Sequence, residues 1–382
     1  MKKQKLKIAV LHDAFLYRGG GERLVTLMAK SIDADLVSGF FSGGSFDPRE
    51  LGFTGKMISL GKPVFAKGIR HEVLKYRFLH KTSFLNEYDI VIFSGNCLDA
   101  GVGLGEKTKK IYYCHTPPRY IFDLRDQYLS KVPKFLHIIF NNLLDKKAKN
   151  YQKLLGKMDV IVTNSQNVQK RLFDFTGFHS EIIYPPTDTH FFTGKHISHP
   201  SVIPFGSKDY FYSWARLSSP KRVDLIVDAF LKMPEKNLVL SYGKNDPLKD
   251  QILEKIASVK NIFAIEAPSD DLLLAIIRNS LASIYIPIDE DFGMSPVESM
   301  SSGIPVIGVN EGGLRETVID GKTGRLIEIP DSIIGVKNLK YIIQTTENKE
   351  WEDMSTSCLA RAQDFSLEKF QEKLQSILKF YP

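Results

Sequence analysis

Apolar residues along this chain fall into short runs separated by longer stretches in which they recur every three or four positions. In the first half, the runs Lys7 to His12, Leu36 to Phe40, Asp89 to Ser94, Lys110 to Cys114, Asp159 to Thr163 and Glu181 to Tyr184 predict strands. Most of them lack polar alternation, as strands covered on both faces of a parallel sheet do. Between the first two, Glu22 to Ser31 places Leu24, Leu27, Met28 and Ser31 on one helical face. The alternation restarts past residue 200, with strands predicted near Tyr210 to Ala215, Leu238 to Tyr242, Ile262 to Ile265, Ala282 to Ile286, Pro305 to Val309 and Arg325 to Ile329. After the first of these, Val223, Ile226, Phe230 and Met233 form one stripe with Asp224 and Asp228 off it, the pattern of a helix packed on a sheet. Two doubly wound α/β units follow from this order.

Periodicity lapses between residues 185 and 209, where Pro185-Pro186, Pro200 and Pro204 predict a stiff, exposed connection between domains at 1–190 and 200–364. His190, His196 and His199 lie there without carboxylate or cysteine neighbours, so the stretch reads as a solvated linker more than as metal ligands. At the other end of the chain, residues 365–382 carry Leu367, Phe370, Leu374, Ile377 and Leu378 at helical spacing. The opening MKKQKLKIAVLHDAF sets lysines before an apolar run that ends at His12-Asp13, too soon for a secretion leader. No run approaches the roughly 18 apolar residues of a membrane span, so any membrane contact is expected to be peripheral.

Composition narrows the classes further. With 43% hydrophobic and 11% aromatic residues, disordered and fibrous chains are excluded. Three cysteines, Cys97, Cys114 and Cys358, have no metal-ligand spacing and cannot pair off completely, which argues against a disulfide framework or a zinc site and for a reducing cytoplasm. The formal charge of +7 divides unevenly: residues 1–190 hold 29 Lys and Arg against 18 Asp and Glu, the remainder 22 against 26. A basic first half suggests anionic partners. Within it, residues 62–81 carry six Lys/Arg and one acidic residue, and residues 131–157 seven lysines and one Asp, both among apolar positions. Such stretches suit an anionic lipid surface or an ordinary solvated helix face. A nucleic-acid reader would need exposed aromatics among the basic residues or a known reading module, and neither is evident.

In paired α/β domains ligands bind at the carboxyl ends of the strands, so the loops there carry the chemistry. Arg18-Gly19-Gly20-Gly21-Glu22 follows the first strand and enters a helix, which permits close backbone approach to an anion or simply a tight turn. It is neither of the standard glycine fingerprints for dinucleotides or P-loops. The run Gly101 to Gly105 reads as a plain loop. His115 ends a buried strand just before Pro117-Pro118, where it can hold a substrate hydroxyl or move a proton. Arg216 and Lys221 bracket a turn before a helix, a poor place for cations unless an anion binds or solvent covers them. In Asp289 to Met300, Ser295 reads as an N-cap, Pro296 as the first helical residue and Glu298 as the third, a capping box that accounts for Glu298 without a ligand. Capping does not account for Glu290, whose carboxylate sits in a strand-end loop and can grip hydroxyl groups.

Taken together these motifs resemble family 4 of the retaining glycosyltransferases, which has the GT-B fold. The resemblance runs over nearly the whole chain: Gly19-Gly20-Gly21-Glu22, His115, the Arg216 and Lys221 pair, Glu290 to Glu298, Gly312-Gly313-Leu314-Arg315-Glu316 and Asp320-Gly321-Lys322-Thr323-Gly324. It implies two Rossmann-like parallel-sheet domains facing a cleft, with residues 365–382 crossing back to an N-terminal acceptor domain. By the same resemblance, Arg216 and Lys221 bind the donor pyrophosphate, Glu298 the ribose and Glu290 the transferred sugar. Phe292, Gly293, Met294 and Ser295 offer backbone N–H groups, Gly20 and Gly21 shape the opposite wall, and His115 holds the donor sugar; no metal or other cofactor is implied. The stretch Tyr113 to Tyr120 is most similar to mannosyltransferases of bacterial O-antigen and other surface-polysaccharide pathways. That implies GDP-mannose as donor, a lipid-linked or polysaccharide glycan as acceptor, and a cytoplasmic enzyme, peripheral on the inner face of the plasma membrane. One departure concerns the nucleobase: the family commonly has a glycine near Glu266, where this chain reads Ile265-Glu266-Ala267-Pro268. The rival readings are a nucleotide-sugar epimerase or phosphorylase on the same scaffold and, from another class, an anionic-surface or nucleic-acid binding protein.

Overall fold

The computed structural model describes residues 6–16, 19–193 and 198–379, the side chains of 67 and 68 excepted. Arg18, Lys195, His196 and the two chain ends, residues 1–5 and 380–382, lie outside the described residues. The chain divides into two compact units, Met1–Pro185 with Phe370–Pro382, and Pro186–Lys369.

In the first unit the strands β1 (Ile8–His12), β2 (Asp35–Ser38), β3 (Met57–Ser59), β4 (Ile90–Ser94), β5 (Lys109–Cys114), β6 (Val160–Thr163) and β7 (Glu181–Ile182) form a parallel sheet in the order β3-β2-β1-β4-β5-β6-β7. The two central strands are buried along their whole length, which is why they read as unbroken apolar runs. β3 escapes the sequence reading because it is a three-residue edge strand with no buried residue. The run Gly101 to Gly105 is not simply a loop, since Leu98–Gly103 forms a 3-10 helix with Leu98, Ala100 and Gly101 buried. The helix Leu367–Lys379 belongs to this unit from Phe370 onward, burying Phe370, Leu374 and Ile377 and donating from Gln371 to the Ser31 hydroxyl at 3.2 Å. All three cysteines are free and buried.

In the second unit β8 (Tyr210–Ser213), β9 (Asn237–Tyr242), β10 (Ile262–Glu266), β11 (Ser283–Tyr285), β12 (Val306–Val309) and β13 (Gly324–Ile327) form a parallel sheet in the order β10-β9-β8-β11-β12-β13. The helix Val223–Leu231 buries Val223, Ile226 and Phe230 as its stripe requires. The expected exposed linker is packed on this unit in part, while Ser201, Val202, Pro204, Gly206 and Ser207 are exposed as expected. A short helix, Thr189–Thr193, sends Phe192 into the core alongside Ile203, and the Thr187 N–H donates to Phe365 O at 2.9 Å. Proline-rich composition concealed these two apolar anchors. His190 also has a carboxylate neighbour, Glu368, at 3.5 Å, although both are exposed.

Strand order reverses between β1 and β4 in one sheet and between β8 and β11 in the other. Loops leaving opposite ways at such a switch point leave room above the carboxyl ends of the two strands, and there the candidate residues collect.

Candidate active site

At the switch point of the second unit, three loops are tied together by their own backbones. Ile288 N–H donates to Pro220 O at 2.8 Å and Gly313 N–H to Glu290 O at 2.8 Å, joining the loops after β8, β11 and β12. Arg222, in the left-handed region at φ 51°, pairs with Glu311 at 2.8 Å, and the other Glu311 oxygen accepts from Asp289 N–H at 3.2 Å. Gly312, with φ 54°, lies so close to this loop that a β-carbon would stand 2.5 Å from Glu290 O. Only glycine fits that approach.

The scaffold holds Lys221 Nζ 2.5 Å from Glu290 Oε2. Tyr285, the last residue of β11, accepts from Lys221 at 2.8 Å and donates to Glu290 at 3.1 Å. Burial first, then the Glu290 charge, push the Tyr285 hydroxyl well above its ordinary range, so it remains a donor. The result is a half-buried cation and carboxylate locked in register, with a phenol between them. Arg216 takes a different carboxylate: its Nε lies 3.5 Å from Asp246, and its side chain is 63% exposed. Asp246, nearly buried, is organised by the N–H groups of Leu217 and Gly243 at 2.9 and 3.0 Å.

The expected capping box does not form. The helix Met294–Ser301 starts one residue before Ser295, with Gly293 at φ 88° as N-cap and no side-chain cap. Ser295 is therefore the second helical residue and Glu298 the fifth, too deep to reach back to the cap. The capping explanation for Glu298 lapses, and the N-cap Gly293 provides no side-chain cap for the first turn, which holds the backbone N–H groups of Met294 and Ser295. The Phe292 side chain is core, edge-on to Phe365 at 5.3 Å, so only its backbone is available to a ligand. Further along, Glu266 pairs with Lys249 at 2.7 Å, and Ala267 adopts φ 43°. This left-handed conformation explains why glycine suits the position; alanine holds it at a cost of about 1 kcal/mol.

In the first unit the switch point gathers His12, Asp13, Ser94 and His115. Sheet register sets His12 beside Ser94, and His12 Nδ1 donates to Ser94 O at 3.1 Å while its Nε2 lies 3.2 Å from Asp13. Ser94 Oγ and His115 Nε2 share a hydrogen bond of 2.6 Å. The loop beyond is pinned by Arg171, which donates to the Thr116 hydroxyl at 2.8 Å, and by Arg119 paired with Asp123. Burial, reinforced by His12, lowers the His115 pKa to about 4. A neutral imidazole at pH 7 is a poor proton shuttle but a sound hydrogen-bond partner for a hydroxyl. The Gly19 to Gly21 run is less of a loop than expected, since the helix Gly20–Ser31 starts at Gly20 with Gly19 as N-cap.

The His115 shift has a measurable consequence. An unfolded histidine takes up its proton near pH 6.5 and the folded one only near 4, so stability is intact above 6.5 and declines as pH falls through that window. In denaturant titrations at pH 7 and pH 4.5, His115→Asn is expected to lose about 1–2 kcal/mol less than the wild type on acidification. Equal losses would contradict the assigned environment.

Sequence reasoning missed Tyr285, Asp246, Arg222 and Glu311 in one unit and His12, Asp13 and Ser94 in the other. The signal was present for His12-Asp13, two polar residues closing a buried strand. Among the described residues no cluster of three or more His, Cys, Asp or Glu side chains is placed to hold a metal ion.

Residues 197–355 match the family of glycosyl transferases group 1. Over 98% of its own length and 98% of the relative's, the chain is 25% identical to the alpha-1,3/1,6-mannosyltransferase ALG2 of Dictyostelium discoideum. It is also 25% identical to ALG2 of Homo sapiens, over 75% of this chain and 72% of that one. Among solved structures, HepE of Anabaena in complex with UDP and glucose superposes with a TM-score of 0.75 at 18% identity, covering 98% of this chain and 99% of that one. Sucrose-phosphate synthase of Thermosynechococcus elongatus does so with a TM-score of 0.75 at 13% identity, over 98% of both chains. The chain is a glycosyltransferase of GT-B architecture.

Proposed function

We propose that this glycosyltransferase is a retaining, metal-independent mannosyltransferase that transfers mannose from GDP-mannose to a lipid-linked glycan. The observation that carries the reading is the Lys221, Tyr285 and Glu290 arrangement at the switch point of the second unit. A diphosphate competes with Glu290 for Lys221, which turns the carboxylate toward the sugar hydroxyls. The first-turn N–H groups of Met294 and Ser295 and the exposed Arg216 guanidinium add donors for phosphate oxygens. Glu298 takes the ribose, while His115, Gly20 and Gly21 serve the first unit's side of the reaction. Breaking the sugar–phosphate bond leaves growing charge on the nucleoside diphosphate, and preorganised cations and dipoles aimed at that charge lower the barrier. In the simplest retaining course the acceptor hydroxyl attacks from the face the phosphate leaves, and its proton passes to a departing phosphate oxygen. Mannose as the sugar is supported by the ALG2 relatives, which are mannosyltransferases over the same length of chain; guanine as the base is inherited from the resemblance of Tyr113 to Tyr120.

Incubation with GDP-mannose and a short mannoside in excess EDTA, read by proton NMR of the anomeric signal, tests this. The α-anomer, formed at a rate EDTA leaves within about twofold, is expected. A β-product, or activity abolished by EDTA and restored by a divalent ion, would overturn retention or metal independence respectively.

We also propose a peripheral station on an anionic, cytoplasm-facing membrane. No helix among the described residues is long and apolar enough to cross a membrane. Instead Phe135, Ile138 and Ile139 are 80%, 75% and 63% exposed beside lysines of the helix His137–Leu155, and Phe65 and Ile69 are likewise exposed. Flotation with vesicles of phosphatidylglycerol and phosphatidylethanolamine is expected to carry the protein, and Phe135→Ser with Ile138→Ser to leave it behind. Equal flotation of both would dismiss this face.

A further inference from the structure

Lys221 and Glu290 each adjoin a residue held in the left-handed region of backbone space, Arg222 at φ 51° and Asp289 at φ 41°. Neither is glycine, so both corners carry strain that their surroundings must offset. Arg222 is the single residue between the 3-10 turn Ser219–Lys221 and the helix Val223–Leu231, so its conformation sets the direction in which Lys221 leaves that helix. It also brings a cation to a helix N-terminus, where positive charge is disfavoured. A glycine would make the same corner with neither cost.

One side chain holds both strained residues. Glu311 Oε1 accepts from the Arg222 guanidinium at 2.8 Å, and Oε2 accepts from the Asp289 N–H at 3.2 Å. The two side chains are only 17% and 25% exposed, which shields their pairing from water more than an ordinary surface ion pair. Glu311 follows β12, and its predecessor Asn310 donates its N–H to Ile327 O at 2.8 Å, so the carboxylate stands on the end of the sheet. The backbone bonds from Ile288 to Pro220 and from Gly313 to Glu290 join the same loops, but neither includes residue 222 or 289.

We infer that Glu311 is a positioning residue for sugar transfer, holding Lys221 and Glu290 at their working spacing through Arg222 and Asp289. This deepens the transferase reading above and rests on it. Glu311 acts through the chain neighbours of the reacting pair. When a diphosphate takes Lys221, the ion pair with Glu290 opens, and a fixed spacing of the two loops then keeps the carboxylate beside the sugar. The charge to be met develops only as the bond breaks, so a misplacement of about 1 Å falls on turnover more than on binding.

Transfer from GDP-mannose by the full chain, together with crystal structures of the variants, tests this. Glu311→Ala is expected to lower kcat about 30- to 100-fold while the donor KM moves less than about threefold. Glu311→Gln keeps the size of the side chain, but both partners of Glu311 donate, so the amide turns an NH₂ toward a donor. It should therefore fall by at least about tenfold, whereas a side chain that merely fills space would be rescued by glutamine. Arg222→Gly makes the corner without strain and still removes the clamp; an expected loss of about tenfold in kcat decides the matter if Glu311→Ala does not fold. In the crystal structure of Glu311→Ala, or of Arg222→Gly in its place, the Lys221 and Glu290 ion pair should open beyond about 4 Å.

Wild-type kcat in Glu311→Gln or in Arg222→Gly, or an ion pair that stays where it is in the variant crystals, would overturn the inference. The two readings fail separately. A pair that stays shut in variants of an enzyme active on GDP-mannose sinks the clamp alone, whereas a pair that opens in variants of an enzyme that transfers nothing from GDP-mannose sinks the donor reading.

Discussion

Glu290→Gln is expected to lower the turnover of sugar transfer by about 10²- to 10³-fold, roughly 3–4 kcal/mol of barrier. Its melting temperature should stay within about 3 °C of wild type, since a half-buried pair contributes little to folding. The residue keeps its size and its tie to Tyr285, because an amide oxygen still accepts from the phenol. What it loses is the negative charge beside Lys221 and the capacity to steady positive charge on the sugar carbon. Binding of the donor should change far less than turnover, since that charge develops only as the bond breaks. A well-folded Glu290→Gln enzyme with wild-type turnover would remove Glu290 from the chemistry.

Lys221→Ala is expected to act on binding and turnover together. Lys221 neutralises charge both in the bound diphosphate and, more strongly, in the leaving group, so a loss of about 2–3 kcal/mol in diphosphate affinity comes with a further fall in transfer. The variant also leaves Glu290 with Tyr285 as its remaining partner in the triad. An anion arriving there meets the Glu290 carboxylate without the Lys221 charge beside it, and the two effects add. Lys221→Arg should rescue only in part, because the planar guanidinium cannot occupy the position of a compact ammonium between Tyr285 and Glu290.

How much of this was legible beforehand depends on what each feature rests on. The buried strands announced themselves, because a strand covered on both faces is apolar over most of its length; β1 and β4 are buried from end to end and apolar up to their last residues, His12 and Ser94. The edge strand β3, half-exposed and three residues long, carries no such signal. Glu290 stood out because no local structure accounted for it, while Tyr285 hid as one more apolar-strand aromatic; its role appears only when Lys221, 64 residues earlier, is set against its hydroxyl. The capping box at Ser295 misled because a local motif was read without the glycine before it, whose positive φ starts the helix one residue early. Phe192 and Ile203 were masked by the prolines around them, although two apolar side chains suffice to draw a connection onto a sheet. Ser94 was unreadable for a different reason: a serine closing an apolar strand is common, and only the parallel pairing of β4 with β5, which sets Ser94 opposite Tyr113, brings it to His115.

The central claim is that the Lys221 loop of the second unit receives the donor diphosphate, and calorimetric titration of GDP and guanosine into wild type and Lys221→Ala tests it most directly. The expected result is a GDP affinity about 30- to 100-fold weaker in the variant, with guanosine changed less than about twofold. Equal losses for the two ligands, or no loss for GDP, would contradict it.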